Sequence, residues 1–272
     1  MDMNLAVENI SAGYGKTQVI SNINLAVGPG RICALMGRNG SGKTTLLRCI
    51  NGVISPFEGK VSIMGKDICR LSRDRIAGMI SVVPQVSFSP FSFSCMDMVL
   101  MAGASRIKAW SAPSKKDREK AFSVMAEAGI DHMADSAFNS ISGGERQLVM
   151  LARGLFQDTP VMLLDEPNSH LDFTNQHRIM ALMQTLVKKR KTTVLITLHD
   201  PNLVYYYCDE VVLLHNGGVV ASGETRTTMT DDVLSRVLGD NIQCDVTLKG
   251  VFVVTPKQIN SPNNNSGIKV KI

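Results

Sequence analysis

One apolar segment constrains the fold of this chain more than any other feature. It is nearly continuous, and it leads into a glycine-rich turn and then a helix. Residues 31–36, Arg-Ile-Cys-Ala-Leu-Met, are typical of a strand buried on both faces of a parallel sheet. The turn after them has the spacing Gly-x4-Gly-Lys-Thr over residues 37–44, and a helix is predicted from Gly42 to about Ile50. Because strands and helices alternate again after residue 160, the sequence predicts an α/β core around a parallel sheet.

The glycine-rich turn is predicted to bind the phosphates of a nucleotide. Glycines let backbone N–H groups turn inward around phosphate oxygens, and the N-terminus of the following helix adds partial positive charge. In a P-loop of this spacing, Lys43 reaches the β- and γ-phosphates and the Thr44 hydroxyl ligates Mg²⁺. A fortuitous glycine-rich turn is the alternative, but it would need neither the strand nor the helix. The residues predicted to contact the nucleotide here are Gly37, Asn39, Gly40, Ser41, Gly42, Lys43, Thr44 and Thr45.

Two consecutive acids at the end of another apolar strand are predicted to perform the chemistry. Residues 161–164 lead into Asp165 and Glu166 at the carboxyl edge of the predicted sheet, where parallel α/β folds bind ligands. Asp165 would hold Mg²⁺, largely through water, and Glu166 would orient and deprotonate the attacking water as a general base. A solvated pair of acids is the alternative, and the position at this edge argues against it.

Two further side chains are predicted to reach the same edge. His199 follows a predicted strand at residues 192–197 and could hydrogen-bond the γ-phosphate, although a lone histidine is more often structural. Gln85 ends a predicted strand at residues 80–83 and could contact both the metal and the attacking water. We therefore expect Glu166, His199, Gln85 and Lys43 to be catalytic, and Thr44, Gln85 and Asp165 to hold the metal.

Tyr14 lies between two glycines in the N-terminal segment. An aromatic ring in an exposed turn can stack on a purine base, which is worth roughly 1–3 kcal/mol in nucleic-acid binders. A tyrosine that serves only the turn is an equal alternative, so its position alone leaves a contact with the nucleotide open.

The segment Ser142-Gly-Gly-Glu-Arg-Gln147 is predicted to form a second anion site. Its flexible glycines fall at a helix start, where backbone N–H donors are free. It has no role in the site described above, so it indicates that a second copy of the protein takes part. The Ser142 hydroxyl could cap its own helix or contact a phosphate, and the sequence leaves both open. Glycines that serve only the helix start are the structural alternative.

The rest of the chain divides into regions that differ in their predicted secondary structure. The first 35 residues alternate between apolar strands and glycine-containing turns, whereas helical spacing dominates from residue 94 to about 157. Ser114-x-x-Asp117 and Ser142-x-x-Glu145 have the pattern of capping boxes that open helices. We therefore expect an all-helical insertion at about residues 86–155.

The C-terminal part is expected to be an extension of the main domain. We place the domain at residues 1–240 and the extension at residues 241–272, and Asn216-Gly217 predicts a hairpin turn before it. The segment after about residue 255 is polar and rich in asparagine, so we expect this tail to be poorly ordered. The sequence assigns no role to the extension.

Composition and charge argue against several classes of protein. No apolar run approaches the roughly 18 residues that span a bilayer, and the N-terminus lacks the pattern of a secretory signal. The six cysteines are scattered without a Cys-x-x-Cys pair, which favours buried reduced thiols in a cytosolic compartment. The net charge of +5 is mild, and the run at residues 188–191 is interpreted as a helix C-terminus rather than a nucleic-acid site.

Taken together, these motifs resemble those of the ATPase subunits of ABC transporters over about residues 3–240. The resemblance implies an α/β P-loop NTPase core with an N-terminal antiparallel β subdomain and an all-helical insertion. It also implies that two copies pack head to tail, with each ATP between Lys43 of one copy and Ser142 and Gly144 of the other. The matches are Tyr14 as the adenine-stacking aromatic, 37–45 as the P-loop, Gln85 as the Q-loop, 142–147 as the signature, 161–166 as Walker B, 168–172 as the D-loop and His199 as the switch histidine. On this basis Ser142, Gly143, Gly144 and Asp172 are expected to contact ATP.

Within that family, the chain is most similar to the ATPases of bacterial importers for iron–siderophore, haem and cobalamin. Residues 168–172, Asn-Ser-His-Leu-Asp, and residues 197–202, Thr-Leu-His-Asp-Pro-Asn, are characteristic there. Arg38 and Asn168 replace the Pro and Thr expected most often, and neither change removes a chemical group. The resemblance implies ATP and Mg²⁺, a permease dimer and an extracytoplasmic substrate-binding protein, no nucleic acid, and a location at the cytoplasmic face of the membrane.

The segment 86–93 is a candidate docking surface for the permease. It contains Phe88, Phe91 and Phe93 among small polar residues, and exposed aromatic side chains suit interfaces. Ordinary packing of the insertion on the core is an equal alternative for each phenylalanine. The imported compound stays open, because specificity in such systems resides in the permease and the receptor.

Two other functions are weighed against the importer. One is an ABC ATPase that transports nothing, such as an iron–sulfur assembly subunit, and co-purification with a membrane protein would separate it from the importer. The other is a switch GTPase or a small-molecule kinase. No Asn-Lys-x-Asp motif for reading guanine occurs, and residues 142–147 would then be unexplained.

Overall fold

The chain folds around two main sheets, and every strand predicted above is present. The computed structural model describes residues 3–85, 90–103, 112–169, 171–248 and 250–257. Within them, the strands are β1 (Leu5–Tyr14), β2 (Thr17–Val27), β3 (Ile32–Met36), β4 (Glu58–Ile63), β5 (Lys66–Asp67), β6 (Ile80–Val83), β7 (Val161–Leu164), β8 (Thr193–Thr197), β9 (Glu210–His215), β10 (Gly218–Glu224), β11 (Ile242–Val246) and β12 (Phe252–Pro256). The helices are α1 (Lys43–Ile50), α2 (Arg73–Ala77), α3 (Cys95–Leu100), α4 (Lys115–Glu127), α5 (Gly143–Gln157), α6 (Phe173–Arg190), α7 (Pro201–Tyr207), α8 (Thr225–Thr228) and α9 (Asp231–Leu238).

The N-terminal antiparallel region is confirmed. Four strands lie in the order β2-β1-β4-β5, and all neighbours are antiparallel. In β2 the side chains of Ile23, Leu25 and Val27 are buried, and the residues between them are exposed. This alternation is what an antiparallel sheet shows when one of its faces packs on a core.

The parallel core predicted from the sequence is confirmed as a six-stranded sheet. Its order is β10-β9-β3-β8-β7-β6, and only the edge strand β10 runs antiparallel to its neighbour. Strands β3, β7 and β8 are buried along their whole length. The four strands that precede the predicted motifs, β3, β8, β7 and β6, are therefore consecutive neighbours, and their carboxyl ends meet at one edge.

This central sheet separates two apolar clusters. Successive side chains of a strand point to opposite faces. In β3, Cys33 and Leu35 join a cluster with β1, β2 and α1, whereas Ala34 and Met36 join a cluster with α3 to α7. The P-loop strand is thus packed from both sides, which fixes the position of the turn that follows it.

Helices α3, α4 and α5 form the helical region and pack on one another. The capping boxes predicted at Ser114 and Ser142 are both present, and a third opens α3 at Ser94 and Asp97. The limits of about 86–155 that were placed on this insertion stay a prediction, as does the domain boundary at residue 240.

Two hairpins follow α7 in the chain. Asn216 and Gly217 both have positive φ, 48° and 77°, so the predicted turn between β9 and β10 is confirmed. Strands β11 and β12 form a second hairpin, which the sequence analysis did not predict. It rests on α7, where the Asn202 side chain bonds the backbone N–H and carbonyl of Val254. The tail that was expected to be poorly ordered lies, from residue 258, outside the described residues.

In the described part of the chain, no helix is both long enough and apolar enough to cross a bilayer. All six cysteines are free. Four of them are buried, but Cys69 is exposed and Cys244 is half-buried, so the prediction of buried thiols is wrong for these two. Cys69 lies in a short surface turn after β5, and Cys244 lies in the peripheral β11–β12 hairpin.

Candidate nucleotide site

The P-loop connects β3 to α1 through backbone conformations that require glycine. Gly42 caps the N-terminus of α1 with φ of 104°, and a Cβ atom there would lie 2.3 Å from Cγ2 of Ile20. A side chain at this position would therefore both strain the backbone and collide with β2. The first turn of α1 consequently starts directly at Lys43, with its N–H groups unpaired inside the helix.

Lys43 lies in the concavity of this loop. Its side chain is buried, and its Nζ donates hydrogen bonds to the carbonyl oxygens of Gly37 (2.8 Å) and Arg38 (3.2 Å). Burial lowers the pKa of Lys43, while the carboxylates of Glu166 and Asp165 act in the opposite direction. The cation is thus held by carbonyl groups that a phosphate, as a stronger acceptor, can replace.

The loop surrounds a cavity of about 180 Å³ that fits a phosphate-bearing ligand. Residues 39–45 line it together with Val19 and Glu166. The buried hydroxyl of Ser41 has no hydrogen-bond partner there, and a phosphate oxygen would supply the acceptor. All P-loop residues predicted to contact the nucleotide except Gly37 therefore line one cavity, and Gly37 contributes a carbonyl to the lysine.

The two acids at the end of β7 are held by a threonine on the neighbouring strand. Glu166 has φ of 46°, a left-handed conformation that is uncommon outside glycine. Its backbone N–H donates to Oγ1 of Thr197 (2.7 Å), and the same hydroxyl donates to Oδ1 of Asp165 (2.8 Å). This turn explains how consecutive side chains, which would alternate in a regular strand, both remain at the carboxyl edge.

Gln85 and His199 both contact the carboxylate of Glu166. Nε2 of Gln85 donates to Oε2 at 2.8 Å, and Nε2 of His199 lies 2.5 Å from Oε1. The three predicted catalytic residues that follow β6, β7 and β8 are therefore in direct contact, and Lys43 lies across the P-loop cavity from Glu166. The sequence analysis predicted their common edge but not these hydrogen bonds.

A second cavity, of about 170 Å³, brings together the three residues predicted to hold the metal. Thr44, Gln85 and Asp165 line it, beside Arg48 and Asn51. Hydroxyl, amide and carboxylate oxygens are the ligands that Mg²⁺ prefers, and it usually takes the remainder from phosphates and water. Among the described residues no cluster of three or more His, Cys, Asp or Glu side chains forms a metal site.

Ser142 caps its own helix. Its Oγ accepts from the N–H of Glu145 at 3.3 Å, and Glu145 accepts from the N–H of Ser142 at 2.8 Å. Hydrogen bonding of the Glu145 carboxylate with the Ser142 side chain, and then with the Ser142 backbone N–H, lowers the pKa of Glu145. Ser142 and Gly143 are exposed, and neither they nor Gly144 line the two cavities described above. Contacts of this segment with a phosphate stay a prediction.

Asp172 lies beside the same helix end. Its Oδ1 accepts from the N–H of Asn175 at 2.8 Å and so caps α6. The Asn175 side chain lies so close to Gly144 that a Cβ atom there would be 3.1 Å from it. The D-loop and the signature therefore lie side by side on the surface. A contact between Asp172 and ATP stays a prediction.

Tyr14 is the last residue of β1, and the residue is 47% exposed. Its hydroxyl accepts a hydrogen bond from Nη1 of Arg48 at 2.8 Å. Arg48 belongs to α1 and also lines the cavity with the predicted metal ligands. The residue is therefore exposed, and its ring is held in place by the hydrogen bond from Arg48, as a stacking surface would be. Stacking itself stays a prediction.

The sequence analysis missed several polar residues at this site, among them Thr197, Arg48 and Asn51. Thr197 is a polar residue directly after the apolar run 194–196, at the end of the predicted strand. This position could have indicated a role at the carboxyl edge of the sheet. Arg48 had no such signal, because an arginine on the exposed face of a helix is common.

The predicted docking segment is only partly described. Residues 86–89, including Phe88, lie outside the described residues. Phe91 is 66% exposed, whereas Phe93 is half-buried and packs against the core of the helical region. The two rings meet edge to face, with centroids 5.7 Å apart. A role in docking stays a prediction for Phe91, and packing accounts for Phe93.

In the central sheet, the P-loop follows β3, and the two acids follow β7, which lies two strands away from β3. This arrangement defines the class of P-loop NTPases. Residues 20–169 match the family model for the ABC transporter. The chain belongs to the ABC transporter family and is an ATPase of that family.

Three known proteins show how far this likeness extends. The "Probable iron chelatin transport ATP-binding protein" of Helicobacter pylori is 37% identical over 234 residues, which are 86% of this chain and 92% of that protein. An inward-facing structure of an ABC transporter described as metal-chelate type is 31% identical, with a TM-score of 0.82 over 93% of this chain and 97% of the other. A dimeric post-hydrolysis structure of an ATP-binding cassette with ADP and Pi is 26% identical, with a TM-score of 0.70 over 82% and 99%.

Proposed function

We propose that this chain is the ATP-hydrolysing subunit of an importer for a metal chelate, such as an iron–siderophore, haem or cobalamin-like compound. Two copies bind ATP between them at the cytoplasmic face of the membrane and act on a permease dimer, which an extracytoplasmic binding protein supplies. The observation that supports this best is the group around Glu166. Gln85 and His199 contact its carboxylate, and the P-loop cavity opens onto it.

The hydrolytic step assigns a separate task to each side chain. Lys43 and the backbone N–H groups of the P-loop bind the phosphates and stabilise the charge that develops on them. Glu166 accepts a proton from the attacking water, and the contacts with Gln85 and His199 orient its two carboxylate oxygens. Bound Mg²⁺, held by Thr44, Asp165 and Gln85, would neutralise phosphate charge.

The proposal needs two copies because the predicted second anion site is not part of the P-loop site of its own chain. Ser142, Gly143 and Gly144 line neither cavity of the P-loop site, yet they present an exposed helix N-terminus that suits an anion. The relative with ADP and Pi is dimeric, which supports a dimer of this chain. In that dimer, this segment would meet the nucleotide of the other copy. The positions of Asp172 and Asn175 beside Gly144 are consistent with a shared interface there.

The class of imported compound follows from the relatives. The Helicobacter protein is named for iron chelatin transport, and the transporter of highest structural similarity above is of metal-chelate type. An ABC ATPase without a transport role is the alternative. Purification of the full chain from membranes would distinguish the two, because only an importer subunit remains bound to a multi-spanning permease.

Replacement of the general base tests the catalytic assignment. Glu166→Gln keeps a group of the same shape but cannot accept a proton, so we expect turnover to fall by roughly 10²- to 10⁴-fold, with ATP binding intact. The variant should also accumulate as an ATP-bound dimer on size-exclusion chromatography. The exposed Glu58→Gln on β4 serves as the control and should hydrolyse ATP normally. Hydrolysis by Glu166→Gln at the parent rate would refute the assignment.

A further inference from the structure

Thr197 is a buried residue with both of its hydrogen-bonding functions directed at the two acids. It ends β8, and its side chain is fully buried. A hydroxyl can donate one hydrogen bond and accept two. The Thr197 hydroxyl donates to Asp165 and accepts from the backbone of Glu166, at 2.8 and 2.7 Å. One side chain therefore connects the predicted metal ligand with the predicted general base.

The bond to Glu166 matters because of the conformation of that residue. A non-glycine residue at a φ of 46° is held in a sparsely populated region, which persists only where its surroundings fix it. The hydrogen bond from its N–H to Thr197 fixes this turn from β8, and the N–H of Asp165 bonds the carbonyl of Val83 at 3.0 Å on the other side. Without the bond to Thr197, the chain after β7 could relax and move the Glu166 carboxylate away from Gln85 and His199.

The bond to Asp165 uses one of the two carboxylate oxygens. Hydrogen bonds of this kind orient metal-binding carboxylates, and such supporting contacts affect metal affinity as well as rate. Thr197 also lies two residues before His199 in the same strand exit, so one segment orients all three groups.

We propose that Thr197 is a positioning residue that sets the geometry of Asp165 and Glu166 for hydrolysis. Thr197 lines neither of the two site cavities, so it would act only through its hydrogen bonds to the two acids. This inference rests on the proposed function of the site, because it assumes that Asp165 and Glu166 serve Mg²⁺ and water.

The test compares Thr197→Val, which keeps the shape and removes the hydroxyl, with Thr197→Ser, which keeps the hydroxyl. In the full chain we expect Thr197→Val to lower kcat for ATP by roughly 10- to 100-fold, with little change in KM. The Mg²⁺ concentration needed for half-maximal binding of a fluorescent ATP analogue should rise in Thr197→Val. Thr197→Ser should restore both values, which a purely packing role of the methyl group would not allow.

The same strand offers a matched control. Thr193 begins β8, is equally buried and donates its hydroxyl to the carbonyl of Gly28 at 2.7 Å, at the opposite end of the strand. Thr193→Val loses a buried hydrogen bond of similar length, so it should lower the melting temperature without altering kcat or the Mg²⁺ requirement. Thr197→Ala, with a smaller side chain, repeats the test if the valine variant does not fold.

Two results would overturn the inference. One is a folded Thr197→Val or Thr197→Ala with normal kcat and normal Mg²⁺ dependence. The other is an equal loss of kcat in Thr193→Val, which would show a general effect of the strand. Both results require that the parent chain hydrolyses ATP, and a parent without ATPase activity would instead refute the proposed function.

Discussion

At the residue scale, the chemistry of Glu166 depends on three partners from the ends of the two strands beside β7, which are β6 and β8. Gln85 reaches one carboxylate oxygen, His199 reaches the other, and Thr197 holds the backbone. Each of these contacts crosses between strands, so no single segment of the chain contains the reactive arrangement. A substitution at any of the three partners should therefore change the rate of hydrolysis more than the affinity for ATP.

The contact between Tyr14 and the nucleotide can be tested at the same scale. Tyr14→Ala removes the ring, so we expect KM for ATP to rise roughly 5- to 150-fold, which corresponds to the roughly 1–3 kcal/mol found for base stacking. Tyr14→Phe keeps the ring and loses only the hydrogen bond from Arg48, so its KM should stay near the parent value. Steady-state kinetics over a range of ATP concentrations measures both. An unchanged KM in Tyr14→Ala would leave Tyr14 as a residue of the turn only.

At the element scale, α4 of the helical region is fastened to the C-terminus of α6 in the core. Glu127 accepts hydrogen bonds from Nζ of Lys189 at 2.8 Å and from Nη2 of Arg190 at 2.7 Å. These bonds, first from Lys189 and then from Arg190, lower the pKa of Glu127. The basic run interpreted from the sequence as a helix C-terminus does end a helix, and part of it also links two regions.

This linkage predicts a pH-dependent contribution to stability. The native pKa of Glu127 lies below its ordinary value, so the pair stabilises the fold at neutral pH and loses this effect as the pH falls through the native pKa. We expect Glu127→Gln to lower the free energy of unfolding by about 1 kcal/mol at neutral pH, and by less near pH 3. Urea titrations at the two pH values measure this difference.

The control for that prediction lies on the same helix. Glu119 is paired with Lys115 at 3.9 Å, and both side chains are largely exposed. Exposed ion pairs contribute little to the free energy of unfolding, so Glu119→Gln should leave the urea midpoint almost unchanged at both pH values. A loss in Glu119→Gln as large as that in Glu127→Gln would mean that charge on α4, rather than the link to α6, is responsible.

At the scale of the whole molecule, the proposed dimer predicts that two inactive variants can complement each other. Lys43→Ala removes the phosphate-binding cation, and Gly144→Asp puts a carboxylate at the second anion site. In a mixed dimer, both defects fall in one composite site and the other site is intact. With random mixing, about half of the dimers are mixed, and each of these has one intact site out of two. About one site in four is then intact, so hydrolysis should reappear on mixing.

The measurement is the ATPase rate of each variant alone and of the mixture at equal total concentration. Each variant alone should be inactive, because each of its homodimers has two defective sites. A mixture that stays inactive while it forms dimers would contradict the head-to-tail arrangement. An active Gly144→Asp alone would show that the signature does not meet ATP.

The sequence predicted the strands of the core and the edge at which the motifs meet, because apolar runs and strand ends are local features. It did not predict the hydrogen bonds of Thr197, since these depend on which strands become neighbours. Nor did it predict the β11–β12 hairpin, whose short strands gain support from Tyr206 and Asn202 of α7. Such contacts join residues far apart in the chain and leave no periodic pattern.

The central sheet also separates two sets of positions at which the molecule can accept substitutions. Its two faces pack into separate apolar clusters, one with the antiparallel strands and α1, the other with the helical region. Substitutions on the helical side therefore need not be compensated across the sheet. During evolution, the surface beside the helical region can be remodelled while the antiparallel strands and α1 continue to pack against the other face of the P-loop strand.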